Sequence, residues 1–271
     1  MPITAAPIAS SLHLARAIAA HLPSRPGRTW TARPEKEFAL AHLPAVPTAS
    51  VRDGHRTLLV AAGIERAVLA AVPEHGGPAT VVERSGRAAQ PEFLAADAVR
   101  RLLPRLDDRA VELLSPTGLH AAADVQARDL RAVPPGLIVS QSPHQVALRL
   151  AETVVMAGVD PASLRAGLVA NRMRLPFVER VLKLAVAGGA ATAQHRLGDD
   201  VRGRAARRLA AAFPGADTSR SGGTSILRWE NGPIRCEVRA DEAGSGSDAA
   251  TVELALFGGV DLILAALDRL R

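Results

Sequence analysis

The chain has 271 residues, enough for one large domain or two small ones with a real apolar core. Its 48% hydrophobic and 22% charged content excludes a disordered chain, and its single cysteine, Cys236, excludes an internal disulfide and a cysteine-based zinc site. The net charge of +6 argues less than usual for a polyanionic partner, because Lys36 and Lys183 are the only lysines and the arginine excess, with abundant Ala and Pro, fits GC-rich coding. Aromatic residues make up 3% and tyrosine is absent, so the core must be built from Ala, Leu and Val.

The first apolar stretch is broken by His13, Arg16 and His21, with no basic residue ahead of it. It therefore reads as neither a signal peptide nor a membrane span, and the expected location is cytoplasmic. Ile8, Leu12, Leu14, Ala15, Ile18 and Leu22 have helical spacing and mostly share one face, and Pro23 and Pro26 end that helix. "RTWTARP" and "EFALAHL" then read as two short strands. Residues 49–63 give a hairpin turning at Asp53-Gly54, and 66–84 a strand pair around a Gly-Gly-Pro turn. "PEFLAADAVRRLLPRL" places Phe93, Leu94, Ala98, Leu102 and Leu103 on a helical face.

Pro116 and Pro134-Pro135 make 106–142 read as loop-rich, and 144–213 as a helical block. A hairpin over 224–240 turns at Asn231-Gly232, "DEAGSGSD" is a flexible polar loop, and "ATVELALFGG" is a strand running into a closing helix. The first and last thirds share an order of helix, strands and helix, which suggests pseudo-two-fold halves. The expected fold is α+β, a mostly antiparallel sheet with flanking helices. Its parts are an N-terminal half (1–105), a connector (106–142), a central helical block (143–213) and a C-terminal hairpin, strand and helix (214–271), packed as one domain.

Catalytic motifs are missing. The eight histidines include no H-x-H or H-E-x-x-H pair, so no metal or cofactor is expected. No nucleophile elbow, P-loop or dinucleotide fingerprint occurs. Cys236, in "IRCEV", reads as a buried structural thiol, and Asp107-Asp108 and Asp199-Asp200 as solvated acids. The chain is expected not to be an enzyme.

Residues 158–185 invite a DNA-binding reading, loosely similar to the helix-turn-helix of ParB-type partition proteins. In it Asp160 caps one helix with Pro161 at its first position, and "LPFVERVLKLA" enters the major groove, with Arg172, Arg174, Arg180 and Lys183 as contacts. The turn is too long, however, and Phe177, Val178, Val181, Leu182 and Leu184 cover most of the second helix, as packing on several sides requires. Weak, non-specific association with nucleic acid remains compatible with the many arginines.

"RTLLVAAGIERAVLAAVPEHGGPATVVERSG…LAADAVRRLLP", "LAETVVMAGVDPASLRAGLVAN" and "ILRWENGPIRCEV…TVELALFGGVDLILAALDRL" together resemble the EspG family, cytosolic chaperones of ESX (type VII) secretion in actinobacteria. The chain departs from that family in its short leader and in its closing hairpin, which reads "RWENGPIR" without tyrosine. The resemblance implies a pseudo-symmetric α+β fold and a non-enzymatic protein that keeps an apolar PE–PPE-type client soluble for export. Such a role needs an exposed apolar patch with a polar rim. Met173, Leu175 and Phe177, with Trp229 beside the C-terminal hairpin, are the expected partner-binding residues. No membrane partner is expected, and the DNA-binding reading stands as the alternative.

Overall fold

The computed structural model describes residues 8–38, 46–54, 56–63, 66–73, 79–132, 137–150, 153–186 and 201–270. They form an α+β fold of two antiparallel sheets with helices, divided into two units, Met1–Leu113 and Leu114–Arg271.

In the first unit, α1 (Ile8–His21) buries Ala15 and Ile18 against an antiparallel meander. Its strands are β1 (Thr31–Phe38), β2 (Val46–Asp53), β3 (Arg56–Ala62), β4 (Arg66–Val72) and β5 (Thr80–Ser85), paired in chain order. The Ser11 hydroxyl accepts the Ala62 N–H at 3.0 Å and ties the helix to the sheet. The expected hairpin at Asp53-Gly54 is present, with Gly54 at φ 60°. Asp53 and Arg56 form a buried ion pair beside that turn, and the Arg56 guanidinium lies 4.9 Å from the Trp30 ring. Of the two short strands expected near 28–43, the first is β1, which as an edge strand runs on through Pro34 without losing a ladder bond; most of the second lies at 39–43, outside the described residues. The expected Gly-Gly-Pro turn at 76–78 lies outside them too.

The expected helix after β5 is α2 (Pro91–Asp97), one π-type turn over Ala98–Leu102, and α3 (Leu103–Leu113). Asp97 is buried here. Burial opposes its ionisation, but hydrogen bonds from Arg84 (2.7 Å) and Arg100 (2.8 Å) outweigh that and hold its pKa below the ordinary value.

The second unit corrects the expected connector and helical block. α4 (Pro116–Arg131) occupies much of 106–142: Pro116 sits at its first turn, where no N–H is needed, and the Ser115 hydroxyl caps it by accepting the Gly118 N–H at 3.2 Å. β6 (Ile138–Ser142) follows. The expected helical block begins with strands: β7 (Gln145–Leu150), β8 (Thr153–Val159) and β9 (Ala166–Arg174). Among its described residues, only α5 (Leu175–Ala185) and α6 (Arg204–Ala212) are helical. In β7 and β8, Val146, Leu148, Leu150, Val155, Ala157 and Val159 are buried at every second position, the period of a strand, and cross-strand pairing overrides the helix preference of Ala, Leu and Arg.

The chain continues through β10 (Asp217–Ser221), β11 (Thr224–Asn231), β12 (Ile234–Asp241), β13 (Thr251–Gly258) and α7 (Val260–Leu270), with the expected Asn231-Gly232 hairpin turn between β11 and β12. The sheet order is β10-β11-β12-β13-β9-β8-β7-β6, antiparallel throughout. Two four-stranded meanders therefore meet along one pair, β9·β13. Helix, meander, helix is the element order of α4 to α5, of α6 to α7 and of the first unit.

The residues 158–185 contain no helix-turn-helix. Their first half is the end of β8, a turn and β9, so the helix that the DNA-binding reading begins at Asp160 is absent. Asp160 caps a hairpin turn instead: its carboxylate accepts the Ala162 N–H (3.0 Å) and the Ser163 hydroxyl (2.5 Å), and its own N–H donates to the Arg165 carbonyl (2.8 Å). Farther along β9, Asn171 and Arg172 together oppose Glu253, a β-bulge in which Arg172 takes a left-handed φ of 58° and its carbonyl accepts the Thr153 hydroxyl at 2.9 Å. The extra residue resets the strand's phase, so Ala170 and Met173 both face the core.

As the apolar stripe of α5 requires, Val178, Val181, Leu182 and Leu184 are buried, and the helix packs on α7, β9, β12 and β13. The loop expected to be flexible is tied down by Arg208 of α6, which donates to Asp248 (2.7 Å), to the Gly246 carbonyl (3.1 Å) and to Glu179 of α5 (2.7 Å).

Candidate protein-binding face

The strand period decides which side chains of the larger sheet meet solvent. One face is core: Leu148, Val155, Leu168, Ala170, Leu254, Leu256, Val238 and Leu227 are each at most 2% exposed. The other face carries Val154 (44%), Met156 (52%), Val169 (40%) and Phe257 (46%), four of the largest exposed apolar side chains among the described residues.

Register brings them together. One row across the strands runs Ala147, Met156, Val169, Ala255, Glu237 and Arg228. The next runs Gln145, Gly158, Gly167, Phe257, Arg235 and Glu230. The face is thus apolar over β8, β9 and β13 and charged over β12 and β11. The two glycines leave no Cβ in the second row; a Cβ at Gly158 would lie 2.9 Å from Gln145 Cγ, and one at Gly167 2.9 Å from Phe257 Cδ1.

The charged half is internally matched. Glu237 accepts from Arg228 and from Arg239, both at 2.6 Å; burial opposes its charge, but these two bonds hold its pKa below the ordinary value. Arg235 lies 3.6 Å from Glu230. Between this network and the Phe257 ring runs an open groove of about 600 Å³, also bordered by Arg165. An apolar field beside a paired ionic rim is the make-up of a protein-binding patch, and it offers no nucleophile or acid–base pair.

The residues expected from sequence fall elsewhere. Met173 (3% exposed), Leu175 (0%) and Trp229 (5%) are core residues, a correction that follows from the β9 bulge for Met173 and, for Trp229, from its place on the same core-facing side of β11 as Leu227. The Trp229 indole N–H donates to the Phe213 carbonyl at 3.1 Å. Phe177 is half-buried, with the Arg180 guanidinium 4.5 Å from its ring centre. Arg172, Arg174, Arg180 and Lys183 are all exposed, but the first two belong to a strand and only the last two to α5, so no recognition helix presents them together.

Sequence reasoning missed Val154, Met156, Val169 and Phe257. The signal lay in the alternation: in "TVELALFG", Phe257 shares its side with Thr251 and Glu253. Cys236 is buried as expected, and burial, with Glu237 next to it, pushes its thiol up to about 12, away from any nucleophilic role. Among the described residues, no three His, Cys, Asp or Glu side chains are placed to share a metal ion, and no helix is long and apolar enough to cross a membrane. No family model matches the chain, and no curated protein or solved structure matches it either.

Proposed function

We propose that the chain is a non-enzymatic cytosolic binding protein, EspG-like, that keeps a PE–PPE-type client soluble for ESX export by covering the client's apolar tip. The observation that carries this reading is the open sheet face of β8, β9 and β13, where Val154, Met156, Val169 and Phe257 expose apolar surface in adjacent register rows. Isolated exposed apolar residues are ordinary, whereas a contiguous group with a paired ionic border marks an interface. The sequence resemblance to the EspG family supplies the class of client.

The test is co-expression with PE–PPE-type pairs from the genome that encodes the chain. The native chain should hold a pair in the soluble fraction as a complex. Met156→Glu and Val169→Glu place a carboxylate on the exposed face, so each should fold normally and lose the complex. A native chain that leaves the pairs aggregated, or charged variants that bind as well as the native chain, would refute the reading.

A further inference from the structure

Gly167 stands directly opposite Phe257 in the β9·β13 pair. A Cβ there would meet Cδ1 of the ring at 2.9 Å, closer than real Cβ contacts, and Cε1 at a tight 3.0 Å, so the ring reaches across the strand and occupies the space above the glycine. Gly167 has ordinary strand backbone and no left-handed φ, so it is space and not conformation that requires glycine here. Held down in this way, Phe257 still exposes 46% of its surface, on the same side of the sheet as Val169 and Met156. The ionic neighbours of the ring, Arg235 with Glu230 and Arg228 with Glu237, are already paired. An uncharged apolar partner matches that border, while a charged one would have to compete with existing pairs.

We infer that Gly167 is a positioning residue for partner binding: it keeps the Phe257 ring low across β9, so that the ring, Val169 and Met156 make one level apolar platform for the client's tip. This rests on the client-binding reading above. A flat aromatic surface in the middle of a patch contributes most when nothing stands proud of it, because a lifted ring would hold the partner off its neighbours.

The experiment titrates a fluorescently labelled PE–PPE-type pair from the same genome against the full chain and against Gly167→Ala, Phe257→Ala and the double variant, with thermal unfolding of each. Gly167→Ala deletes no apolar group, and Ala suits a strand at least as well as Gly. It is expected to weaken binding about tenfold while Tm stays within about 2 °C. Phe257→Ala should weaken it at least as much. The double variant should bind like Phe257→Ala alone, because with the ring gone there is nothing to lift. Native-like binding by Gly167→Ala, or losses that add in the double variant, would overturn the inference and leave the client reading intact. A native chain that does not bind the pair overturns both.

Discussion

Two methionines on opposite faces of the larger sheet allow a direct test of the assignment of core and surface. Met156 on β8 is 52% exposed, whereas Met173 on β9 is 3% exposed and reaches the core because of the bulge at Asn171 and Arg172. Removing a buried methionine side chain costs about 2–5 kcal/mol through lost transfer energy and the cavity left behind. Met173 sits near the end of its strand, where neighbours can partly collapse, so Met173→Ala is expected to cost about 2–3 kcal/mol. In a unit of this size that lowers Tm by about 4–12 °C. Met156→Ala removes a side chain that water already reaches, and its effect on stability should stay within about 0.5 kcal/mol. In binding the order reverses: Met156→Ala should cost about 1 kcal/mol or more toward the client pair. Calorimetry with urea unfolding measures the first quantity, and the labelled-client titration the second. If Met156→Ala destabilises the chain as much as Met173→Ala, the open-face description of the sheet is wrong.

Three further outcomes are expected. Arg172→Gly should raise stability by up to about 1 kcal/mol, because glycine takes the left-handed φ of the bulge without the strain a side chain brings; a fall in Tm would mean that the arginine side chain itself stabilises the site. Asp97→Ala should cost about 3 kcal/mol, since Arg100, 7% exposed, keeps a buried charge with one partner fewer. Asp97 has a folded pKa below its ordinary 3.8, so its stabilisation is present above that value and lost as pH falls through the folded one. Asp97→Asn should accordingly flatten the acid limb of the stability curve below about pH 4, and an unchanged limb would contradict the assignment.

Much of the fold was legible wherever local chemistry decides structure. The Pro-terminated first helix, the Asp53-Gly54 and Asn231-Gly232 hairpins and the apolar stripe of α5 each follow from residues close together in the chain. The stretch from β6 to β9 was not legible, because "QVALRL" and "TVVMAGV" are rich in residues that suit either a helix or a strand. What makes them strands is pairing with one another and, through β9, with the distant β13. Pro116 misled for the opposite reason, since a residue that breaks a helix interior is well suited to a helix start. The candidate site was hidden because its residues look like ordinary strand core. Whether the second face of a sheet is covered depends on where the helices pack, and the polar companions of Phe257 in "TVELALFG" are the one local hint of it noted above. The sequence-based candidates were chosen for size and apolarity, and Met173, Leu175 and Trp229 were large and apolar because they fill the interior.

The single pair β9·β13 that joins the two meanders has a kinetic consequence. Within each meander every strand pairs with its neighbour in the chain, so those contacts close short loops and can form early. Joining Leu168 to Leu256 closes a much longer loop, whose entropy must be lost before its contacts contribute. Two half-sheets, each with an apolar face and an open edge, would then wait for each other, and an unpaired edge in that interval is a place where a second molecule can dock wrongly. The bulge at Asn171 and Arg172 lies on this pair and fits Glu253 in one register only, because a slip would turn Ala170 or Met173 out of the core. The bulge at Arg172 thus serves as a register key, placed on the strand pairing of the second unit that spans the longest stretch of chain.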